Sequence, residues 1–269
     1  MLLPRFDDLS HQLQEKYYAH VPFSLSKDTI EAAVASFFRF LNAPESIKSH
    51  MHFSIAPQHR RGDIGFQRRN PEDHMYNDSK EFFHFHPAIF EEYNDFLQEH
   101  PIVLDFMHQA KVIWNAVYDV TKSILGTFEP YYPGASARIF ETKNVHILVR
   151  FLKYDWQESG EYLAKPHFDA GSFTLALAES CTGLRIGKDP QTLKCVEPIE
   201  NNALFMIASN YEKVLGKTSP FHPGWHDVIQ QDLSHIGKPF ARWAVVAFIE
   251  AHGVDALPRS ETHKWYRAA

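Results

Sequence analysis

The stretch HFDAGSFTLALAESCTGLRIGKD, residues 167–189, decides the fold class of this chain. Its runs SFTLALA and GLRI are short and apolar, with β-branched or aromatic residues at a period of two. Such runs, separated by turn residues, are typical of antiparallel β-strands. If the chain is extended at the start of the stretch, His167 and Asp169 project from the same face, because residues two apart share one side of a strand.

The same period-two pattern continues through the second half of the sequence, after about residue 135. Further runs are VHILVRFL, ALFMIA and RWAVVAFIEA, and Gly, Pro, Asn and Asp separate them. Strands do not alternate with helices there, as they would in a doubly wound fold. Many short strands joined by turns predict an antiparallel sandwich or barrel.

The first half of the sequence has helical periodicity instead. Apolar residues recur every three or four positions over residues 28–41 and 101–125, which predicts two helices that each bury one face. Gly126 is expected to end the second of these helices. We expect the helices to cover one face of the sheet, in a single domain over 1–269 that is mainly helical over about 1–130 and β over about 135–255.

Composition and charge narrow the class of protein. The chain has 269 residues, a formal net charge of −6 and interspersed acidic and basic residues, so we expect no nucleic-acid partner. It has no run of about 18 apolar residues, and Pro4 interrupts the N-terminus before a signal-peptide core develops, so no membrane partner is expected either. Cys181 and Cys195 are too few for a disulfide framework, and a reducing, cytoplasmic location is expected.

His167 and Asp169 offer a metal ion one imidazole and one carboxylate from a single strand. With one more histidine they would complete the 2-His-1-carboxylate facial triad of non-heme Fe(II) oxygenases, which leaves coordination positions open for other ligands. Taken alone, the H-x-D pattern is also compatible with a surface turn in which the aspartate caps the backbone.

The stretch PFHPGWHDVIQ supplies two candidates for the third ligand. His226 begins a predicted strand, which can hold a side chain in a fixed direction, so it is the predicted ligand. His222 precedes a Pro-Gly turn pair, and His235 also has loop residues around it. Both are therefore the less favoured candidates.

Arg242 begins the strand RWAVVAFIE and shares a face with Ala244. A planar, permanently charged guanidinium suits bidentate binding of a carboxylate, and burying it without such a partner is costly. We therefore expect the guanidinium to face space that a ligand fills. The alternative is an ion pair with a glutamate at the end of the barrel, such as Glu250 or Glu161.

Taken in order along the chain, these motifs resemble the Fe(II)/2-oxoglutarate-dependent dioxygenases of the isopenicillin N synthase-like branch. HFDAGSFTLALAESCTGLRIGKD is similar to the family's H-x-D strand and the strands after it, HDV to its H-R-V, and RWA to its R-x-S. FFRFLNAPESIK and DSKEFFHF are similar to N-terminal elements of the family. The resemblance implies a mainly β chain with N-terminal α-helices packed on a double-stranded β-helix, or jelly roll.

The resemblance also implies roles for particular residues. His167, Asp169 and His226 would bind Fe(II), and Arg242 would bind the distal carboxylate of the co-substrate 2-oxoglutarate. Tyr154 falls at the family's N-x-Y motif and would also contact the co-substrate, although a tyrosine at the barrel rim with a solvated hydroxyl is the alternative. The implied activity uses O2 and 2-oxoglutarate to hydroxylate a small molecule, or to oxidise it by two electrons in another way.

Three features of the sequence depart from the family pattern. Ala244 replaces the serine of R-x-S, which removes a hydrogen bond worth about 0.5–1.5 kcal/mol. The segment between His226 and Arg242 is longer than usual, and Asp227 replaces the arginine that usually follows the distal histidine. Two alternatives therefore stay open: an Fe(II) oxidase that does not use 2-oxoglutarate, and a non-catalytic metal-binding jelly-roll protein.

The stretch HRRGDIGFQRRNPEDHMY resembles the lid region of the family and contains two pairs of arginines. Arg60, Arg61, Arg68 and Arg69 are candidates to meet an anionic substrate. The other interpretation is a solvated surface, which is the commoner role for such a cluster.

Overall fold

The computed structural model describes residues 4–55, 63–69 and 79–253. Over these residues the chain forms two antiparallel sheets, one of eight strands and one of four. Helices pack against the outer face of the larger sheet, and the smaller sheet covers its inner face. The fold class predicted from the sequence, mainly β with N-terminal helices, is confirmed.

The helices lie mostly in the first half of the chain. In chain order they are α1 Phe6–Lys16, α2 Lys27–Leu41, α3 Glu45–Lys48, α4 Ile89–Glu92, α5 Asn94–Glu99, α6 Pro101–Phe128, α7 Ala135–Phe140 and α8 Glu212–Leu215. Ser26 caps α2 by accepting a hydrogen bond from the backbone N–H of Thr29, and Pro101 is at the start of α6. Within the described ranges, none of these helices is long and apolar enough to cross a membrane.

The strands begin in the N-terminal half and continue to the end of the described chain. They are β1 Tyr18–Pro22, β2 His52–Ser54, β3 Asp63–Arg69, β4 Lys80–Phe85, β5 Ile147–Tyr154, β6 Tyr162–His167, β7 Phe173–Glu179, β8 Leu184–Gly187, β9 Lys194–Cys195, β10 Asn202–Ile207, β11 Trp225–Ile229 and β12 Arg242–Ile249. The larger sheet has the order β1-β10-β7-β12-β5-β4-β3-β2, and the smaller has β6-β11-β8-β9.

Alternation along the strands of the larger sheet gives it two apolar faces. On β5, Phe151 packs with the helices, whereas Leu152 belongs to the second cluster, between the two sheets. On β12, Val245 and Ala244 divide in the same way. Because neighbouring residues of a strand point to opposite sides, the same strands pack against the helices on one face and against the smaller sheet on the other.

The N-terminal half differs from its prediction in two respects. It contributes four strands, β1 to β4, to the larger sheet, whereas strands were predicted only after about residue 135. The long helix α6 also continues past Gly126 to Phe128. An interior glycine weakens a helix by only about 1 kcal/mol, and burial of Leu125 and Phe128 on either side offsets that cost.

Candidate metal centre and the cavity beside it

Three side chains converge in the space between the two sheets. His167 ends β6, Asp169 follows it in the next loop, and His226 lies on β11. β6 and β11 are paired, with His226 opposite His167. One ligand atom from each of the three side chains lies within 4.8 Å of those of the other two. The predicted convergence is present, and metal binding by these residues stays a prediction.

Backbone carbonyls fix which nitrogen each imidazole presents to Asp169. Nδ1 of His167 donates to the carbonyl of Lys165 at 2.7 Å, and Nδ1 of His226 donates to the carbonyl of Gly224 at 3.3 Å. A carbonyl can only accept, so the other ring nitrogen of each neutral imidazole has a lone pair. These Nε2 atoms lie 3.7 Å and 3.5 Å from the carboxylate oxygens of Asp169.

The donor set fits a divalent transition metal. Burial and the neighbouring His226 lower the pKa of His167 to about 3, so its imidazole is in the neutral form that metals require at physiological pH. Asp169 is buried, and its Oδ2 accepts a hydrogen bond from the hydroxyl of Thr174 at 2.9 Å. Two imidazoles and one oriented carboxylate on one side of a site are the ligands typical of non-heme Fe(II).

The two less favoured histidines lie elsewhere. His222 is exposed, in the irregular segment before β11. Nδ1 of His235 donates to the carbonyl of Ala241 at 3.0 Å, and its ring contacts Phe240. Neither belongs to the cluster of His167, Asp169 and His226, so the geometry agrees with the choice of His226.

A cavity of about 450 Å³ lies beside the three residues and has the size of a small-molecule site. Strands of both sheets contribute to its wall, which includes apolar side chains such as Leu204, Met206 and Val246. Charged side chains also line it, and those on the larger sheet are Lys80, Arg150, Glu179 and Arg242. The cavity therefore combines apolar walls with a few charged groups.

Arg242 faces the cavity, as alternation predicts, but its guanidinium already has a partner within the protein. Arg242 and Ala244 both face the cavity. The guanidinium is buried in an ion pair with Glu179, and its Nε donates to the carbonyl of Cys181 at 3.3 Å. The guanidinium therefore lines the cavity, but it is not aimed at empty space, because Glu179 already pairs with it.

The partner is also not one of the glutamates named from the sequence. Glu250 is buried, but its carboxylate accepts hydrogen bonds from Ser172 and Asn210, and Glu161 is exposed. The physical reason is an irregularity between β7 and β12, where the register shifts between Val245 and Val246. Such a shift breaks period-two alternation, so Glu179 reaches the cavity although strict alternation from Thr174 would send it to the other face.

Tyr154 lies opposite Arg242 in the pairing of β5 with β12. Its ring is buried, 5.7 Å from the guanidinium carbon of Arg242 and 5.4 Å from Nζ of Lys80. Sequence analysis missed Lys80 as a cavity residue. Lysine is rarely buried, and its position at the start of β4 gave no signal of burial.

The surroundings of Asp227 explain why an aspartate follows His226. It is fully buried next to His226 and accepts two hydrogen bonds from Arg185, at 2.8 and 2.6 Å. The two residues are paired across β11 and β8. This bidentate ion pair joins the strand that carries His226 to its neighbour, so an arginine at position 227 would not fit here.

We expect Asp227→Ala to lower the free energy of unfolding by about 2–3 kcal/mol, because it leaves the half-buried Arg185 guanidinium without its carboxylate. Urea unfolding measures this change. The matched control is Asp8→Ala, which removes an exposed ion pair with Arg5 and should cost less than about 1 kcal/mol. Equal stability of the two variants would contradict the assignment.

The arginines of the lid-like stretch divide into two groups. Arg68 is on β3 and forms ion pairs with Glu81 at 2.6 Å and Glu45 at 3.5 Å, and Arg69 lies over the ring of Phe82. Arg60 and Arg61 lie outside the described residues. The contacts of Arg68 agree with a surface role for that residue.

Comparison with known proteins gives matches in structure only. No family model matches the sequence, and no curated protein sequence matches it. The dioxygenase for auxin oxidation 1 from Arabidopsis thaliana, in complex with 2-oxoglutarate, is similar with a TM-score of 0.69 and 14% identity, over 95% of this chain and 91% of that one. A Caulobacter crescentus protein assigned to the 2OG-Fe(II) oxygenase family has a TM-score of 0.66 and 16% identity, over 94% and 86%.

A third similar structure is that of a full-length Neurospora crassa protein in complex with alpha-KG and thymine. Its TM-score is 0.59 at 16% identity, over 96% of this chain and 87% of that one. At such low identity the likeness concerns the fold. The chain has the jelly-roll fold of 2-oxoglutarate–Fe(II) oxygenases, with helices on the outer face of its larger sheet.

Proposed function

We propose that this chain is a non-heme Fe(II) oxidoreductase, a 2-oxoglutarate-dependent dioxygenase. It would couple oxidative decarboxylation of 2-oxoglutarate by O2 to the hydroxylation, or another two-electron oxidation, of a small molecule. The observation that carries the proposal is the convergence of His167, Asp169 and His226 beside the cavity. The fold supports it, since similar structures include complexes with 2-oxoglutarate.

His167, Asp169 and His226 would hold the iron through two Nε2 atoms and a carboxylate oxygen. Iron bound in this way would supply the redox chemistry that uses O2. The carbonyls of Lys165 and Gly224 orient the two imidazoles, so that Nε2 of each ring faces Asp169. Such supporting hydrogen bonds set both the tautomer and the direction of a ligand.

Arg242 and Tyr154 would bind 2-oxoglutarate. The guanidinium of Arg242 already holds one carboxylate, that of Glu179, which supports its suitability for another. Binding of the co-substrate then requires the Glu179 carboxylate to move away from the guanidinium or to share it with 2-oxoglutarate. Lys80, beyond the ring of Tyr154, adds a second positive charge on the same side of the cavity.

We expect Glu179→Gln to lower the 2-oxoglutarate concentration for half-maximal succinate release by about tenfold, or about 1.4 kcal/mol, because a competing charge is removed. Without ligand, the variant should unfold at a lower temperature, since the buried Arg242 loses its ion pair. Titration of both proteins with 2-oxoglutarate, read by succinate release and by thermal unfolding, tests this. Glu161→Gln, at an exposed site, is the control, and unchanged or weaker co-substrate use in Glu179→Gln would refute the competition.

Oxygen-dependent release of succinate tests the function as a whole. The Fe(II)-loaded protein should convert 2-oxoglutarate to succinate in air but not under nitrogen, and some turnover is expected even without the primary substrate. Oxygen consumption without succinate would instead indicate an oxidase that does not use 2-oxoglutarate. Tightly bound Zn(II) with neither reaction would indicate a non-catalytic metal-binding protein.

We also propose that the enzyme is cytoplasmic and that residues 1–269 form a single oxygenase domain. The small number of cysteines and the interspersed charge support this location. The sharing of the larger sheet between the helices and the smaller sheet supports the single domain.

A further inference from the structure

The cavity contains a second arginine that the proposed function does not use. Arg150 lies on β5, four residues before Tyr154, and both line the cavity. Strand residues rise about 3.3 Å each, so the backbones of these two positions are about 13 Å apart. In the sheet, Arg150 is opposite Val246 of β12 and His84 of β4.

Two aromatic rings and a histidine fix the Arg150 guanidinium. Its central carbon lies 4.7 Å from the centre of the Phe82 ring and 4.5 Å from that of Phe248. Its Nε donates to Nε2 of His84 at 2.7 Å, and Nδ1 of His84 donates to the carbonyl of Asp63 at 2.9 Å. A guanidinium held in one orientation loses little conformational entropy when it binds a planar anion.

Arg150 and Arg242 are connected to the candidate metal centre through different residues. Phe248, which stacks on Arg150, is opposite Thr174 in the pairing of β12 with β7. Thr174 in turn donates to Asp169. Arg242 lies instead beside Tyr154 and Glu179. The two guanidiniums therefore lie beside different residues of the cavity wall, which allows each to bind a different carboxylate.

We propose that Arg150 binds a carboxylate of the primary substrate, which is an organic acid with an apolar body. That the bound acid is the substrate rests on the proposed function, whereas the binding site itself rests on the residues that line the cavity. The apolar body has matching walls, since Leu204, Met206, Val246 and Phe248 line the same cavity. An arginine sandwiched between aromatic rings favours an acid over an amine or a neutral amide of the same shape.

Calorimetric titration of the protein loaded with Fe(II) and 2-oxoglutarate under nitrogen tests the inference, because no turnover occurs without O2. The probes are phenylacetate and hexanoate, each compared with its neutral amide, and phenethylamine as a cation. The variants are Arg150→Met and Arg150→Lys. Arg39→Met, which removes an exposed arginine paired with Asp105 on α6, is the control.

At least one acid should bind the wild-type protein about tenfold more tightly than its amide, and the amine should bind most weakly. Arg150→Met should abolish the preference for the acid, Arg150→Lys should keep part of it, and Arg39→Met should keep all of it. Thermal unfolding of each variant checks that the fold is retained. No preference for either acid in the wild type, or a preference that survives in Arg150→Met, would overturn the inference.

A parallel measurement of succinate release in air separates this inference from the proposed function. A preference for acids that depends on Arg150, with no succinate formed, would refute the function and leave the site in place. Succinate release with no preference for acids would refute the site alone.

Discussion

Replacing Asp169 with alanine is expected to weaken Fe(II) binding more than about 100-fold and to abolish detectable succinate release. Loss of groups that merely orient metal ligands typically costs about 10–100-fold, so loss of a ligand should cost more. The fold should persist, because Asp169 lies in a loop and its backbone carbonyl still accepts from the N–H of Ser209. Removing its carboxylate also takes away a buried negative charge.

Metal content after dialysis against Fe(II), together with far-UV circular dichroism, measures this outcome. Asp28→Ala, at an exposed position in the first turn of α2, is the control and should bind iron as the wild type does. Normal iron content in Asp169→Ala would show that Asp169 is not a ligand. Loss of folded protein would show that its role is structural.

Arg242→Met should raise the 2-oxoglutarate concentration needed for succinate release by about 100-fold with unchanged metal content. Truncating one partner of a buried charge pair costs about 2–5 kcal/mol, and a 100-fold effect corresponds to about 2.8 kcal/mol, which lies within that range. Arg242→Lys should have a smaller effect, since it keeps the charge but loses bidentate geometry. Kinetic titration with 2-oxoglutarate and metal analysis measure both variants.

A double variant separates co-substrate binding from the ion pair with Glu179. Arg242→Met alone leaves the Glu179 carboxylate without its guanidinium, so part of its effect is a loss of stability. Adding Glu179→Gln should restore the thermal stability but not the use of 2-oxoglutarate. If the double variant recovers both, Arg242 serves the ion pair and is not the anchor for the co-substrate.

The convergence of His167, Asp169 and His226 could be predicted from the sequence because it depends largely on local rules. His167 and Asp169 are two apart at the end of a strand, and His226 lies on a strand that is distinct from the loop around His222. Alternation accounts for the directions of His167 and His226, whereas Asp169 lies in the loop after β6 and is oriented by the hydrogen bond from Thr174. The same rule placed Arg242 and Ala244 on the cavity face.

Glu179 and Lys80 could not be predicted in this way. The register shift that turns Glu179 inward depends on how β7 meets β12, two strands far apart in the sequence. The burial of Lys80 depends on the neighbours of β4 in the folded sheet. β1 was missed because YAHVP is too short to show a period, and it becomes a strand only by pairing with β10.

The position of β12 in the larger sheet has a consequence for how the chain folds during synthesis. β12 is the last strand described, yet it lies in the middle of the sheet, paired with β5 on one side and β7 on the other. Until residues 242–249 leave the ribosome, β5 and β7 have no shared neighbour, and the apolar faces beside them stay exposed. Pairing of such distant segments is slow, and nascent chains with open strand edges are prone to aggregate. The segments that carry His167, Asp169 and His226 have already been made by then, so these three candidate metal ligands are available to the nascent chain before the larger sheet beside them can close.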